Sequence, residues 1–381
     1  MKFLKRKPQS VHSPSTKGSV KKVGMFSSIK TKLIAGFLIC IIPIILVGII
    51  SYNSAFTAIK DTASYATLQT MQQSNEKLAL TLDNIETLSS QIMLSSQIND
   101  YLSIKGDNDI TLFEIQSASS LNTYLNGLVA LNKYLDSITI LADTLPVASL
   151  GYELKPEAYD NLVKSENMAR AKELNGRAFW TGYHFEIDEN RSTKGDQNTY
   201  GLSLMRLLKD INMGSSKEAL LIIDIKSSLI EETLQKIDLG NNSELHLISP
   251  DGRDIAARIE NDENQLIDTA ESQNRITNQD FYSKIITNEV GDSFTDKYNN
   301  EEYMIIQTNL VTSAGDTGYK LIGLVPTANF REAAKSIRDV TIIISAIALI
   351  IALSTSLILS LGISNALKRI LEVSQRIAKG D

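Results

Sequence analysis

Two long apolar runs constrain this chain more than any other feature of its sequence. Residues 33–52 and 340–363 contain no Asp, Glu, Lys or Arg. At about 1.5 Å per helical residue, each run is long enough to cross a hydrocarbon layer of roughly 30 Å. We therefore predict two transmembrane helices at these positions, with residues 53–339 forming one large region between them.

A cleaved signal peptide is the alternative for the first run, because export signals also place a basic leader before an apolar core. This run is longer than a usual signal core and contains Pro43. An amphipathic helical pattern follows it directly, without a small-x-small cleavage site. A membrane anchor is therefore the favoured interpretation.

The charges that flank the two runs predict the orientation of the chain. Residues 1–32 carry nine Lys or Arg and no acid, and four more cations follow the second run. Cationic flanks stay in the cytoplasm, so both ends are predicted to lie inside and residues 53–339 outside, at the cell membrane. The leader 1–32, rich in Ser, Pro and Gly, is predicted to be disordered.

The acidic charge is concentrated in the predicted outer region. Between the two basic flanks, 25 Lys or Arg face 42 Asp or Glu, a formal net charge of −17. Such a field disfavours nucleic acid as a partner. The only cysteine, Cys40, lies in the first apolar run, so an apolar core must stabilise the outer region without disulfides.

A long helix is predicted to open the outer region, over residues 54–104. No Gly or Pro occurs between residues 54 and 102. Apolar residues recur there with a helical, roughly heptad spacing, at Met71, Leu78, Leu82, Ile85 and Ile92. This seam predicts either packing within the same chain or pairing with a second copy in a homodimer, and both can hold in different stretches.

Two lobes of mixed helices and strands are predicted after this helix. The distal lobe covers about residues 105–215, with strands near 135–142, 178–184 and 200–209 and a helix near 157–174. The proximal lobe covers about 216–330, with a strand at 218–225, a helix at 227–237 and hairpins whose turns contain Asp251-Gly252 and Asn299-Asn300. The predicted fold class is α+β with antiparallel sheets.

Three segments carry a resemblance to a known family: Leu-Leu-Ile-Ile-Asp-Ile at 220–225, Ser-Pro-Asp-Gly-Arg at 249–253 and Leu-Ile-Gly-Leu-Val-Pro at 321–326. Their order between two spans resembles a double Cache transmembrane receptor of the methyl-accepting chemotaxis type. The resemblance implies two tandem PAS-like lobes, each a bent sheet flanked by helices, on the long N-terminal helix.

The segment after the second span also resembles a known relay element. Residues 364–381 continue an apolar seam and end in Gly380-Asp381. This pattern is similar to the first helix of a HAMP domain, cut off before its second helix. One departure is Ala366, where the family often has proline.

The candidate ligand site lies around the only tryptophan. The amino-acid-binding branch of double Cache domains uses an Arg-x-Trp element, a later aromatic residue and an aspartate on the strand that begins the next lobe. This chain is similar in order, although its arginine stands three residues before the tryptophan. Aromatic rings can cage an ammonium and arginine can pair with a carboxylate. The predicted ligand-binding residues are Arg177, Trp180, Tyr183, Tyr200 and Asp224.

The alternative interpretation is structural: Trp180 and Phe179 belong to the core, and Asp224 caps a neighbouring turn. Catalytic signals are weak. The histidines are His12, His184 and His246, and no pair has the spacing of metal ligands or of a nucleophile with its base. His184 with Asp188 could form a base and its orienting group, but a structural histidine is favoured. We predict no enzyme, cofactor or metal.

The predicted function is a transmembrane chemoreceptor that senses a small extracellular ligand, such as an amino acid, and signals to cytoplasmic partners through an output domain beyond Asp381. A sensor histidine kinase can have the same sensing half, and a membrane-tethered binding protein without output is the third interpretation.

Overall fold

The computed structural model describes residues 29–378 except 104–110, 144, 150–153, 156–157, 191–199, 210–216, 261–262, 269–275, 288–290 and 292. Residues 1–28 of the predicted disordered leader lie outside the described residues. Its last four residues, 29–32, are helical, so the prediction of disorder is wrong for them. The predicted Gly380-Asp381 connector lies outside the described residues as well.

Two compact units make up the chain. One comprises the residues up to Ala55 together with Ala334–Asp381, and the other is Phe56–Ala333. The helices, in chain order, are α1 (Ile29–Met93), α2 (Ser96–Leu102), α3 (Leu112–Leu131), α4 (Ala158–Val163), α5 (Glu166–Leu174), α6 (Phe185–Asp188), α7 (Ser227–Leu234), α8 (Tyr282–Thr287) and α9 (Thr327–Ala378). The strands are β1 (Leu135–Ala142), β2 (Val147–Ala148), β3 (Phe179–Thr181), β4 (Tyr200–Lys209), β5 (Glu218–Lys226), β6 (Glu244–Ile248), β7 (Asp254–Glu260), β8 (Glu263–Asp268), β9 (Ser293–Tyr298), β10 (Glu301–Thr312) and β11 (Gly315–Pro326).

Local signals in the sequence explain several helix ends. Thr111 and Glu114 form a reciprocal capping box at the start of α3, in which each side chain accepts from the other residue's backbone N–H. The Ser165 side chain caps the first turn of α5 by accepting from the Met168 N–H. Helix α5 ends where Asn175 takes a left-handed conformation, with φ of 47°.

Each lobe contains one antiparallel sheet. The distal sheet has the order β2-β1-β5-β4-β3, and the proximal sheet has the order β8-β7-β6-β11-β10-β9. In the proximal sheet, Asn299 and Asn300 join β9 to β10 with φ of 50° and 66°. Positive φ at both central residues is what a tight hairpin turn with the twist of its strands requires.

Helix α1 supplies a shared core for both lobes. The five apolar residues of the predicted seam are each at most 2% exposed, and they join residues of both sheets in one cluster: Met71, Leu78, Leu82, Ile85 and Ile92. The seam thus packs within its own chain. Other side chains of the same helix, including Tyr65 and Leu80, are about two-thirds exposed at 64% and 65%.

The opposite sheet faces have their own smaller cores. In the distal lobe, β1, β3, β4 and β5 bury a cluster against α4, α5 and α6 that includes Leu220 and Ile222. In the proximal lobe, Ile322 and Leu324 of β11 pack with Phe281 and Ile285 around α8. Both sheets are therefore covered on two faces.

Each of α1 and α9 contains a segment long and apolar enough to cross a membrane, judged by length and composition. Strand β11 ends at Pro326 and α9 begins at Thr327, so no connecting residue separates them. In the unit that contains the apolar segments, the two helices approach closely at Gly48, where an added Cβ would clash with Thr341.

The predicted α+β class with two antiparallel lobes on a long helix is confirmed. Several elements differ in position or extent. Strand β5, predicted to begin the proximal lobe, is instead the central strand of the distal sheet, between β1 and β4. The long helix predicted over residues 54–104 is divided, because α1 ends at Met93 and α2 begins at Ser96. The predicted helix near 157–174 is two helices, α4 and α5, and the strand predicted to reach residue 184 ends at Thr181. It ends there because the Gly182 and Tyr183 amides donate to the Asp251 carboxylate, at 2.7 and 2.8 Å.

Candidate functional site

A row of polar side chains crosses one face of the distal sheet. Thr181, Ser203, Asp224 and Ser137 are register partners in neighbouring strands, from β3 through β4 and β5 to β1. Each of the four is at most 3% exposed. Most other residues of the same face are apolar. Because burying polar groups is unfavourable unless they are hydrogen-bonded, this row needs specific partners.

Asp224 is the centre of the polar row. Its carboxylate accepts hydrogen bonds from Ser137 Oγ at 2.7 Å and Ser203 Oγ at 2.6 Å. His184 Nε2 lies 2.7 Å from its Oδ1, and both side chains are fully buried. Asp224 is thus held by side chains of the row and by a histidine.

His184 lies between two carboxylates at the start of α6. Its Nδ1 is 3.1 Å from Oδ1 of Asp188, four residues later, and its Nε2 faces Asp224. Burial opposes the charged form, but the two carboxylates outweigh it and raise the pKa of His184 to about 10. The ring is therefore an imidazolium at neutral pH, with a proton on each nitrogen.

Tyr200 covers the histidine. Its ring stacks on His184 with centroids 4.4 Å apart, and its hydroxyl donates to Asp188 Oδ2 at 2.6 Å. The backbone N–H of His184 donates in turn to the tyrosine hydroxyl at 3.3 Å. Burial, with the nearby carboxylates, raises the pKa of Tyr200, so it remains a neutral phenol.

The proximal lobe contributes Arg253 to this cluster. Its guanidinium lies over the rings of Tyr183 and Tyr200, at 4.5 and 5.3 Å from their centroids, and Nη1 donates to Gly182 O at 3.0 Å. Tyr319 of β11 donates to the carbonyl oxygen of Thr181 at 2.7 Å. Segment 181–184 of the distal lobe is therefore held by two elements of the proximal lobe.

The structure brings together three of the five predicted ligand residues: Tyr183, Tyr200 and Asp224. Trp180 lies on the opposite sheet face, where its Nε1 donates to Glu86 Oε1 of α1 at 2.7 Å within the shared core. Arg177 is exposed and precedes β3. Trp180 thus fits the structural interpretation, because successive residues of a strand point to opposite faces.

Sequence reasoning missed several members of the cluster. The pair His184 and Asp188 is visible in the sequence but gives no sign of binding, and Arg253 was missed because it comes from the other lobe. Ser137 and Ser203 had a detectable signal, since each interrupts an apolar strand on the side that Asp224 also occupies. Their shared row becomes visible only when the strand register is known.

A second buried histidine occupies the proximal sheet. His246 Nδ1 lies 2.9 Å from Asp254 Oδ1, and its Nε2 lies 3.2 Å from Glu244 Oε2. Burial opposes the charge, but Asp254 and Glu244 raise the pKa of His246 to about 9. Arg258 pairs with Glu244, and Tyr298 donates to the same carboxylate at 3.1 Å. Among the described residues, no group of His, Cys, Asp and Glu has the arrangement of a metal site.

The geometry of the distal cluster suits binding better than proton transfer. A histidine that keeps its proton up to about pH 10 is a poor general base at neutral pH. The accessible edge of the cluster is aromatic: Tyr183 is partly exposed and stacks at 4.7 Å on Phe185, which is 61% exposed. A ligand can reach these rings and, through Tyr183, the Arg253 guanidinium.

Similarity to a bacterial chemoreceptor extends along most of the chain. No protein-family model matches it. Its sequence is 22% identical over 355 residues to the methyl-accepting chemotaxis protein McpA of Bacillus subtilis (strain 168). The matched region covers 93% of this chain and 47% of McpA, so the chain spans about half the length of that relative. The predicted resemblance to chemotaxis receptors is confirmed.

Solved sensory domains are also similar. The sensory domain of the Campylobacter jejuni chemoreceptor Tlp3, with isoleucine bound, is 13% identical, with a TM-score of 0.46 over 73% of this chain and 98% of that domain. The extracellular domain vpHK1S-Z8, assigned to a histidine kinase, is 14% identical, with a TM-score of 0.47 over 73% and 96%.

Proposed function

We propose that this chain is the sensing half of a transmembrane chemoreceptor of the methyl-accepting type. The observation that carries the proposal is the sequence similarity to McpA, which extends over 93% of the chain. In this proposal the outer region binds a small extracellular ligand. The signal passes to cytoplasmic partners through a HAMP relay that begins after the second span.

The proposed topology places both ends in the cytoplasm and residues 53–339 outside. The basic leader and the cations after residue 363 support it, because positive flanks remain inside. We propose further that the receptor acts as a homodimer in the cell membrane, binds no nucleic acid and has no enzymatic activity in this part of the chain.

The ligand is proposed to act at the aromatic edge of the distal cluster. Tyr183 and Phe185 present their rings there, and Arg253 places a cation on the face of Tyr183. This combination suits a small organic molecule with an apolar part and an anionic group, and an amino acid has both. The ammonium of an amino acid would have to compete with His184 for Asp224, because the histidine already pairs with that carboxylate.

A chimera tests the proposed function. Residues 1–381 are joined to the part of McpA that follows the matched region, in Bacillus subtilis cells without their own chemoreceptors. We expect chemotaxis toward or away from at least one small compound. Tyr183→Ala should abolish that response, and Lys164→Ala, which changes an exposed residue outside the cluster, should preserve it.

The result against the proposal is a chimera that reaches the membrane and responds to no compound. A response that appears only when the same residues are joined to a histidine kinase output would instead support the kinase alternative. In-frame sequencing of the gene beyond Asp381 separates these two outputs independently.

A further inference from the structure

A cavity of about 560 Å³ opens between α1 and β10, away from the distal cluster. Residues 72–83 of the helix form one wall, and residues 308–311 of the strand form the other. The cavity belongs to the outer unit, Phe56–Ala333. Nothing in the proposed function uses it.

Two side-chain amides in the cavity wall have their donors engaged and their acceptors unused. Asn75, which is 6% exposed, donates from Nδ2 to Asn309 O at 2.9 Å. Asn309 donates from its own Nδ2 to Asp316 Oδ2 at 3.2 Å. Within the described part of the chain, neither Oδ1 atom has a hydrogen-bond partner. Because an unsatisfied buried acceptor is unfavourable, a ligand in this cavity should supply donors.

The charges of the cavity wall also favour a ligand that supplies hydrogen-bond donors, and a cationic one. Glu76 and Asp83 line it seven residues apart on α1, which is two helical turns or about 10 Å. No Lys or Arg is among its described lining residues. Leu80 and Val311 lie in the same wall and are more than half exposed, at 65% and 54%. Oδ1 of Asp83 already accepts from the Ser313 N–H and from Ser313 Oγ, each at 2.7 Å, so a ligand would pair with its Oδ2. The cavity therefore combines two anionic positions and two unpaired buried acceptors with an apolar surface.

We propose that this cavity is a second ligand site, which binds an aliphatic diammonium ion. One ammonium would pair with Glu76 and the other with Asp83, the alkyl chain would cover Leu80 and Val311, and the N–H groups would satisfy the Asn75 and Asn309 oxygens. The net charge of −17 between the basic flanks favours accumulation of such a cation. The proposal goes beyond the proposed function and does not depend on it.

The site is tested by calorimetric titration with 1,4-diaminobutane. The whole chain is held in nanodiscs of phosphatidylcholine, a zwitterionic lipid without net charge. We expect one ion bound per chain at pH 7. Glu76→Gln and Asp83→Asn should each weaken binding by about tenfold or more, because each removes a charged hydrogen-bond partner. Butane-1,4-diol, which has the same chain length without charge, should not bind.

Asp61→Asn is the matched control variant. It removes the same charge from an exposed position of α1 outside the cavity, so it should leave the affinity unchanged. Equal weakening in all three variants would mean diffuse attraction to an acidic surface and would overturn the proposal. Absence of binding to the unmodified chain, or equal binding of the diol, would overturn it too. Circular dichroism establishes that each variant is folded.

Discussion

Asp224 is a fully buried carboxylate in an apolar sheet, and its stability there depends on its partners. Two serine hydroxyls and one imidazolium satisfy it, while Asp188 lies against the other side of the imidazolium. Removing one member of a buried ion pair leaves a charge without compensation, which typically costs about 3–5 kcal/mol. These groups are therefore interdependent.

The first prediction concerns the proton on His184. Only three histidines occur in the chain, so their ring signals can be resolved by NMR. We expect the His184 ring to stay protonated between pH 6 and pH 8, because its pKa is raised to about 10. Asp224→Asn should lower that pKa, since it removes the strongest favourable charge, whereas Ser203→Ala should change it far less. A ring that titrates near its usual 6.5 would contradict the assigned pairing.

The second prediction is a decline in stability with rising pH. Folding raises the pKa of His184 from 6.5 to about 10 and that of His246 from 6.5 to about 9. The folded state therefore binds more protons than the unfolded state across this window. Stability from these pairs is complete below pH 6.5 and is lost as the pH rises through 9 and 10. Calorimetry should show the unfolding midpoint of the outer region falling from pH 6.5 to 9, and a midpoint that rises would be contrary to expectation.

Residue-level roles were only partly predictable from the sequence. Asp224 and Tyr200 follow from the resemblance, and Tyr183 was predicted because it lies close to the only tryptophan. Trp180 lies apart from Tyr183, Tyr200 and Asp224 because side-chain direction alternates along a strand, so a shift of one residue changes the sheet face that a side chain occupies. The contacts of the Arg253 side chain have no local signal, since its partners Gly182 and Tyr183 lie about 70 residues away in the chain and belong to the other lobe.

At the scale of elements, the contact between segment 181–184 and the 249–253 hairpin joins the two lobes. Asp251 binds two backbone amides of the segment, and Ser249 donates to the same carboxylate at 2.6 Å. Gly182 allows this approach, since a Cβ there would lie 2.7 Å from Asp251 Oδ1 and 2.8 Å from Arg253 Cβ. The glycine is required by the neighbouring hairpin.

The third prediction follows from this close approach. Gly182→Ala should displace the hairpin and destabilise the outer region by about 1–3 kcal/mol, the usual effect of forcing extra atoms into packed structure. Gly127→Ala is the matched control, because its added methyl meets no atom within 4 Å and lies in helix α3. Its effect should be neutral or slightly stabilising. Calorimetric midpoints of the two variants measure the difference, and similar midpoints would count against a close interlobe contact.

Element boundaries were predictable where local chemistry sets them. The Asn299-Asn300 and Asp251-Gly252 turns were identified from residue type, and both are hairpin turns. The end of β3 was not, because the amide that would continue the strand binds Asp251 of another lobe. The sequence predicts the last two strands over 302–309 and 318–325, and β10 and β11 run beyond these ranges to a turn at residues 313–314, since Thr312 pairs with Gly315.

Across the whole molecule, the two lobes repeat one buried arrangement. Each lobe buries a histidine between two carboxylates, one of which accepts a hydrogen bond from a tyrosine hydroxyl. The histidine is His184 in the distal lobe and His246 in the proximal lobe. The histidine–carboxylate pairs of the two lobes lie on different elements and have different separations along the chain. Both lobes are thus stabilised by buried ion pairs without disulfides, which fits a chain whose single cysteine lies in an apolar run.

The fourth prediction tests the proposed topology of the chain. In a Cys40→Ser background, Lys236→Cys places one thiol at an exposed position of the outer region, and Lys368→Cys places one after the second apolar run. A membrane-impermeant maleimide added to intact cells should label the first variant. The second should be labelled only after lysis. Labelling of both variants in intact cells would contradict the proposed topology, and labelling of the second variant alone would indicate the opposite orientation.

The single tryptophan is an intrinsic fluorescent reporter at the point where α1 contacts both lobes. Glu86 Oε1 accepts from Trp180 Nε1 of the distal lobe at 2.7 Å and from Thr312 Oγ1 of the proximal lobe at 3.1 Å, so helix and both lobes meet at one carboxylate. Indole emission is sensitive to a charge at its N–H. A movement of α1 that changes the distance between Glu86 and Trp180 should therefore shift the wavelength of the intrinsic tryptophan emission, without an attached dye.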